Sequence, residues 1–168
     1  PFDRAAVLTV DGRGERDTTC FFSAEQGNIE LIDSVAFPDS LGSFYSSFTE
    51  FLGFKPENDE WKVMALSAMA PYENEFTSLI RDTISLIPGS GRFEIDRTLY
   101  KEHLYELPNY YSPKMIDLFG PPRKSSEPIE DRHCRIAAAM QAVAEEVMVH
   151  MLNYLQRVTG LDAVCCSG

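Results

Sequence analysis

The chain has 168 residues, and 15 Lys and Arg against 26 Asp and Glu give a formal charge of −11. That acidity argues against a nucleic-acid binder, which needs a basic face toward phosphates, and against docking on an anionic membrane. Hydrophobic residues make up 44% of the chain, which suits one packed domain and excludes an intrinsically disordered chain, while no apolar stretch reaches the ~18–20 residues of a membrane span.

In chain order, Ala5-Ala6-Val7-Leu8-Thr9-Val10 reads as a buried strand. Asp11-Gly12-Arg13-Gly14-Glu15 breaks it with a hairpin signal. Thr18-Thr19-Cys20-Phe21-Phe22 is β-branched and aromatic and returns as a second strand. A third strand is expected with Ile29, Leu31, Val35 and Phe37 on one face. Residues 1–37 are therefore predicted to be a three-stranded antiparallel meander.

Helices are expected over the segment 38–127. Leu41, Phe44, Tyr45, Phe48, Phe51 and Leu52 follow helical spacing, and Gly53 stands at the capping position. Asn58 or Asp59 can start a second helix that carries Val63, Met64, Leu66 and Ala68 and stops before Pro71. Phe76, Leu79, Ile80 and Ile84 suggest a third, ended by Pro88-Gly89. Residues 88–111 show no period beyond a short strand at Phe93–Ile95. Ser112-Pro113 opens a short helix that Gly120 ends, and residues 121–126 form a linker. The segment 128–168 opens with one long helix. Ile136, Met140, Val143, Val147, Met151, Tyr154 and Val158 make a single apolar stripe on it. Gly160 ends the helix, and Leu161 to Cys166 reads as a last, buried strand.

The chain is inside a strand by Ala5 and stops at Ser167-Gly168 straight after another. These ends predict a piece of a longer protein.

Chemistry-bearing residues are sparse. The strand ending at Asp11 delivers an acid and two glycines, Gly12 and Gly14, into a turn, followed by Glu15. Glycines let a backbone approach a phosphate, and an Asp at a strand end can hold a cation; a plain hairpin turn has the same pattern. Glu60 and Lys62 open the second helix, where Lys62 can meet a phosphate and Glu60 a ribose or a metal-bound water. A solvated first turn reads the same way. The eight acids against Lys55 in residues 25–60 are expected to be a solvated surface. His103, His133 and His150 contain no i, i+4 pair. Cys20, Cys134, Cys165 and Cys166 have no metal-ligand spacing and are expected to pack as small apolar residues. They point to a reducing, cytoplasmic setting. No Walker-type loop, dinucleotide fingerprint or Ser/His/Asp order is present.

Three stretches, AAVLTVDGRGE, SLGSFYSSFTEFLGFKPENDEWKVMALSAMA and FGPPRKSSEPIEDRHCRIAAAMQAVAEEV with the closing LDAVCCSG, resemble the O-carbamoyltransferases that modify nodulation factors and antibiotics. The resemblance is weak over residues 72–110. It implies an α/β fragment of an N-terminal domain with the actin/hexokinase-like (ribonuclease H-like) ATPase fold. It also implies a C-terminal YrdC-like domain that makes carbamoyl-adenylate from carbamoyl phosphate and ATP. The N-terminal domain then moves the carbamoyl group to an acceptor hydroxyl beside ferrous iron. The acceptor would be a nodulation lipo-chitooligosaccharide or an aminoglycoside.

Of the family's iron ligands, a His pair, the Asp of D-G-x-G-E and a later Asp, the resemblance maps one here, Asp11. The isolated chain is therefore expected to be inactive and to hold no iron tightly. Asp11 and Glu15 become the expected catalytic residues. Gly12, Gly14, Glu60, Lys62, Ser167 and Gly168 are expected near the nucleotide. The chain departs from the family pattern at Ala65, usually Gly, and at Met69-Ala70, usually Tyr-Gly. A sugar or acid kinase of the same fold and a non-catalytic interaction domain are the alternative readings.

Overall fold

A computed structural model describes residues 2–101 and 109–168. The expectation of irregular structure at 102–108, and His103 with it, lie outside the described residues. The fold is α/β, with six strands and five helices among the described residues: β1 (Arg4–Val10), β2 (Asp17–Glu25), β3 (Asn28–Ala36), α1 (Leu41–Phe51), α2 (Glu60–Ser67), α3 (Thr77–Arg81), β4 (Ile84–Leu86), β5 (Phe93–Ile95), α4 (Pro113–Phe119), α5 (Asp131–Thr159) and β6 (Val164–Ser167). The chain divides into two compact units. The first holds Pro1–Gly42, Ser85–Glu94 and Val147–Gly168, and the second Ser43–Ile84 and Ile95–Glu146.

The first unit is built on a mixed sheet of order β3-β2-β1-β6. β1, β2 and β3 form the expected antiparallel meander, and β6 joins β1 in parallel. Leu8 lies opposite Phe21, and both are fully buried on one face. Tyr154 of α5 stands edge-on to Phe21 at 5.4 Å between ring centroids, a favoured aromatic geometry.

Two expectations fail here. Ile29 and Leu31 do not share a face with Val35, because Phe22 pairs with Leu31 while its neighbour Phe21 pairs with Asp33. Ile32 is thus an extra residue, and an extra residue reverses the alternation beyond it. Ile29 and Leu31 are accordingly exposed, Val35 is buried, and Phe37 lies outside the strand. Cys165 and Cys166 are exposed rather than buried, because β6 is an edge strand with one neighbour.

The second unit packs around aromatic rings. Phe44 meets Phe48 at 5.1 Å and Tyr100 at 5.4 Å, and Phe119 collects Phe48, Phe51 and Phe76. Gly53 ends α1 in the left-handed region, φ +76°, as its capping position required. Arg123 then closes that end from outside. Its Nε donates to Leu52 O at 2.7 Å, its Nη1 donates to Glu127 O at 2.6 Å, and its guanidinium lies over the Phe54 ring.

The third helix is shorter than its apolar spacing implies. Thr83 donates back to Ile80 O at 2.6 Å and meets the buried Tyr100 hydroxyl at 2.7 Å. Ile84 therefore begins β4 instead of a further turn. On α2, Val63 and Leu66 are buried but Met64 is exposed, and Ala68, expected on this helix, is the exposed residue that follows its end. On α5 the stripe is buried from Ile136 to Met151. Leu155 then takes the place expected for Val158, which is exposed because the last turn is solvated.

His133 of α5 is buried and accepts a hydrogen bond at Nδ1 from the Glu130 N–H, 2.9 Å away. Burial first, then the Arg132 cation, holds its pKa below the usual 6.5. Arg123 acts in the same direction, and Glu130 and Glu127 oppose them. The folded state thus prefers the neutral ring. This contribution to stability is complete above 6.5 and is lost as pH falls from there through the lower folded-state value. Urea unfolding is expected to show a lower midpoint at about pH 5 than at about pH 7. In His133→Gln that difference shrinks; an unchanged difference would place the acid sensitivity elsewhere.

Candidate functional site

The site candidate grows from the β1–β2 connection in the first unit. Val10 pairs with Thr19, and the Asp11 N–H donates to Thr18 O at 2.8 Å. The Asp11 backbone thus belongs to the end of the ladder. Residues 11–15, with Asp11, Gly12, Gly14 and Glu15, are exposed. Gly14 sits against the Asp17 carbonyl too closely for any Cβ.

The turn is braced by the segment between β3 and α1. The Phe37 N–H donates to Arg16 O at 2.9 Å. The Thr18 hydroxyl reaches Asp39 O. Ser40 Oγ lies 2.8 Å from Gly12 O and 3.1 Å from Asp11 O, within donor reach of both. Gly42 completes the contact, since a Cβ there would fall 2.5 Å from Gly12 Cα and 2.7 Å from Gly12 N. Neither Ser40 nor Gly42 was legible as a site residue in the sequence. Ser40 directly before an apolar helix reads as an N-cap, and its contacts with Asp11 and Gly12 span 28 or 29 positions of chain.

Ser167 pairs in register with Thr9, and the Gly168 backbone lies so close to Val10 O that a Cβ would collide with it. Because β6 runs parallel to β1, both residues come to the sheet end that carries Asp11. The structure thus brings together Asp11, Gly12, Ser167 and Gly168.

Glu60 and Lys62 belong to the second unit. The Glu60 carboxylate accepts from Ser46 Oγ at 2.7 Å and from the Glu57 N–H at 2.6 Å. Lys62 pairs with Asp59 at 2.8 Å and sits 5.4 Å from the Trp61 ring centre. These are the contacts of a helix start.

In the first unit, Cys20 faces Thr9 across the ladder. Burial, and then Asp17, push its thiol pKa up, so it stays protonated and is a poor nucleophile. Asp11 offers a hard oxygen donor of the kind a divalent cation takes, on a backbone held from three sides. It fits one coordination position. Among the described residues no group of three His, Cys, Asp or Glu could hold a metal.

A family model described as carbamoyltransferase N-terminus matches residues 1–168. An uncharacterised protein of Synechocystis sp. is 38% identical over 170 residues, covering all of this chain and 27% of the relative. Two uncharacterised proteins of Methanocaldococcus jannaschii are 31% and 25% identical, covering 99% and 96% of this chain and 30% and 26% of their own lengths. The chain therefore spans less than a third of the curated relatives it matches. No helix among the described residues is long and apolar enough to cross a membrane. With the match running the length of the chain and the D-G-x-G-E turn standing intact at the sheet end, the chain belongs to the carbamoyltransferase N-terminus family.

Proposed function

We propose that the chain is the acceptor-side part of an ATP-dependent O-carbamoyltransferase. A carbamoyl group passes from carbamoyl phosphate, through carbamoyl-adenylate, to a hydroxyl of a sugar-containing acceptor such as a lipo-chitooligosaccharide. Membership of the family supports the general transfer chemistry. The meander with a parallel β6 beside β1 supports an actin/hexokinase-like ATPase fold. A YrdC-like domain in the rest of the polypeptide would make the adenylate. The observation that carries the site is the Asp11 carboxylate on a turn braced by Ser40 and Gly42.

In the transfer step the acceptor oxygen attacks the carbamoyl carbon. The new C–O bond forms, the bond to the adenylate oxygen breaks, AMP leaves with its electron pair, and the hydroxyl proton goes to water. Ferrous iron, when bound, supplies Lewis acidity that eases loss of that proton. Asp11 contributes a carboxylate oxygen to hold it, and Glu15 steadies the turn. Gly12 and Gly14 place no side chain between the turn and an approaching phosphate. Ser167 and Gly168 border the same sheet end, and Glu60 and Lys62 are the nucleotide candidates of the second unit.

The test is incubation of the full-length protein with ATP, carbamoyl phosphate and a panel of sugar hydroxyl acceptors. AMP, pyrophosphate, inorganic phosphate and an acceptor heavier by one carbamoyl group are expected. ADP with a phosphorylated acceptor would instead identify a kinase. The 168-residue chain alone, purified without chelator, is expected to contain far less than one iron per molecule by elemental analysis, because one carboxylate does not make a site. Stoichiometric iron would overturn the single-ligand reading.

A further inference from the structure

We propose that Ser40 and Gly42 are positioning residues for Asp11: they hold the backbone from which the Asp11 carboxylate reaches a divalent cation. The proposal rests on the reading of Asp11 as a cation ligand. An exposed carboxylate on an unsupported hairpin turn samples many directions, and each must be given up on binding. The turn here is not unsupported. Asp11 is tied to Thr18 through its own N–H, and the segment 37–42 is tied to both sides of the connection, at Arg16, at Thr18 and at Gly12.

Ser40 is the decisive tie. A serine before a helix can accept from the first helical amides, and its hydroxyl hydrogen is then still available to a carbonyl. Here its hydroxyl stands within donor distance of the Asp11 and Gly12 carbonyls, and Ser40 itself is fully buried. Gly42 sets how close the helix start can come. A Cβ at that position would press on Gly12 Cα, Gly12 N and the Asp11 carbonyl carbon, the last at 3.1 Å. All three are backbone atoms with no flexible end to yield. An added methyl therefore displaces the peptide that follows Asp11, and with it the direction of the carboxylate. Residues that orient a ligand from behind typically change metal affinity by about 10–100-fold when removed.

The experiment titrates ferrous iron alone, without oxygen, into full-length wild type and into Ser40→Ala, Gly42→Ala and Asp11→Asn. Apo-protein melting and far-UV circular dichroism are recorded for each. Ser40→Ala and Gly42→Ala are expected to weaken iron binding by about 10-fold or more at a temperature where both remain folded. A merely structural role would lower the apo melting temperature and leave the affinity of the folded protein unchanged, which overturns the proposal. If Gly42→Ala does not fold, Ser40→Ala decides. If Asp11→Asn alone weakens binding, the positioning role fails and the ligand role stands. If Asp11→Asn binds iron as wild type does, the ligand reading itself fails, and this proposal with it.

Discussion

In the full-length protein, Asp11→Asn is expected to abolish carbamoyl transfer while leaving carbamoyl-adenylate synthesis largely intact. The expected loss exceeds the ~10–100-fold typical of residues that only orient a metal ligand, because the negative ligand itself is removed. Asn has nearly the size of Asp and is equally at home in turns. The main ties at this position, from the Asp11 N–H to Thr18 O and from Ser40 Oγ to the Asp11 carbonyl, involve backbone atoms and survive the change. The fold therefore persists while the charge opposite the cation disappears. Glu15→Gln is expected to cost less if Glu15 only steadies the turn. Two rates on one mutant check this: pyrophosphate release dependent on carbamoyl phosphate, and carbamoylation of the acceptor. Equal loss of both would mean that Asp11 acts through stability, and retention of both would reduce the motif to a hairpin turn.

Arg123→Ala is expected to destabilise the protein by about 3–5 kcal/mol, because charge-assisted bonds contribute about 1.5–3 kcal/mol each. Two short ones are lost, to Leu52 O at 2.7 Å and to Glu127 O at 2.6 Å. Arg123 is 7% exposed, so water replaces it poorly at those carbonyls. Its charge also stands at the C-terminal end of α1, where the helix dipole favours a cation. Arg123→Lys is expected to recover a minority of the loss. An ammonium on a flexible stem cannot reach both carbonyls with a fixed fork, nor stack on Phe54 as the guanidinium does. Urea unfolding of the three proteins measures the order. A cost below about 1 kcal/mol for Arg123→Ala would mean that the carbonyls find other donors.

Much of the architecture is legible in local sequence. The meander follows from β-branched strands broken at Asp11-Gly12 and Gln26-Gly27. α1 and α5 follow from their apolar spacing, and Gly53, Pro113 and Gly120 mark ends that backbone conformation alone dictates. These signals depend on neighbours within a turn or two of chain. The same is true of Asp11 and its glycines as a candidate site, which a short motif can announce.

Other features came from contacts between segments distant in the chain. One extra residue at Ile32 turned Ile29 and Leu31 to solvent, and nothing in the alternation of β3 itself reveals it, because register is settled by the partner strand. Thr83 gave its hydroxyl to Ile80 O and Tyr100, cutting short a helix whose apolar spacing ran further. Cys165 and Cys166 have the composition of a core strand yet lie exposed, because burial belongs to the position of β6 in the sheet and not to its residues. At the site, the local motif announces which acid stands at the strand end. That Ser40 and Gly42 brace it depended on bringing together backbone atoms 28 or more positions apart, a contact set by chain path and close packing that no local pattern encodes.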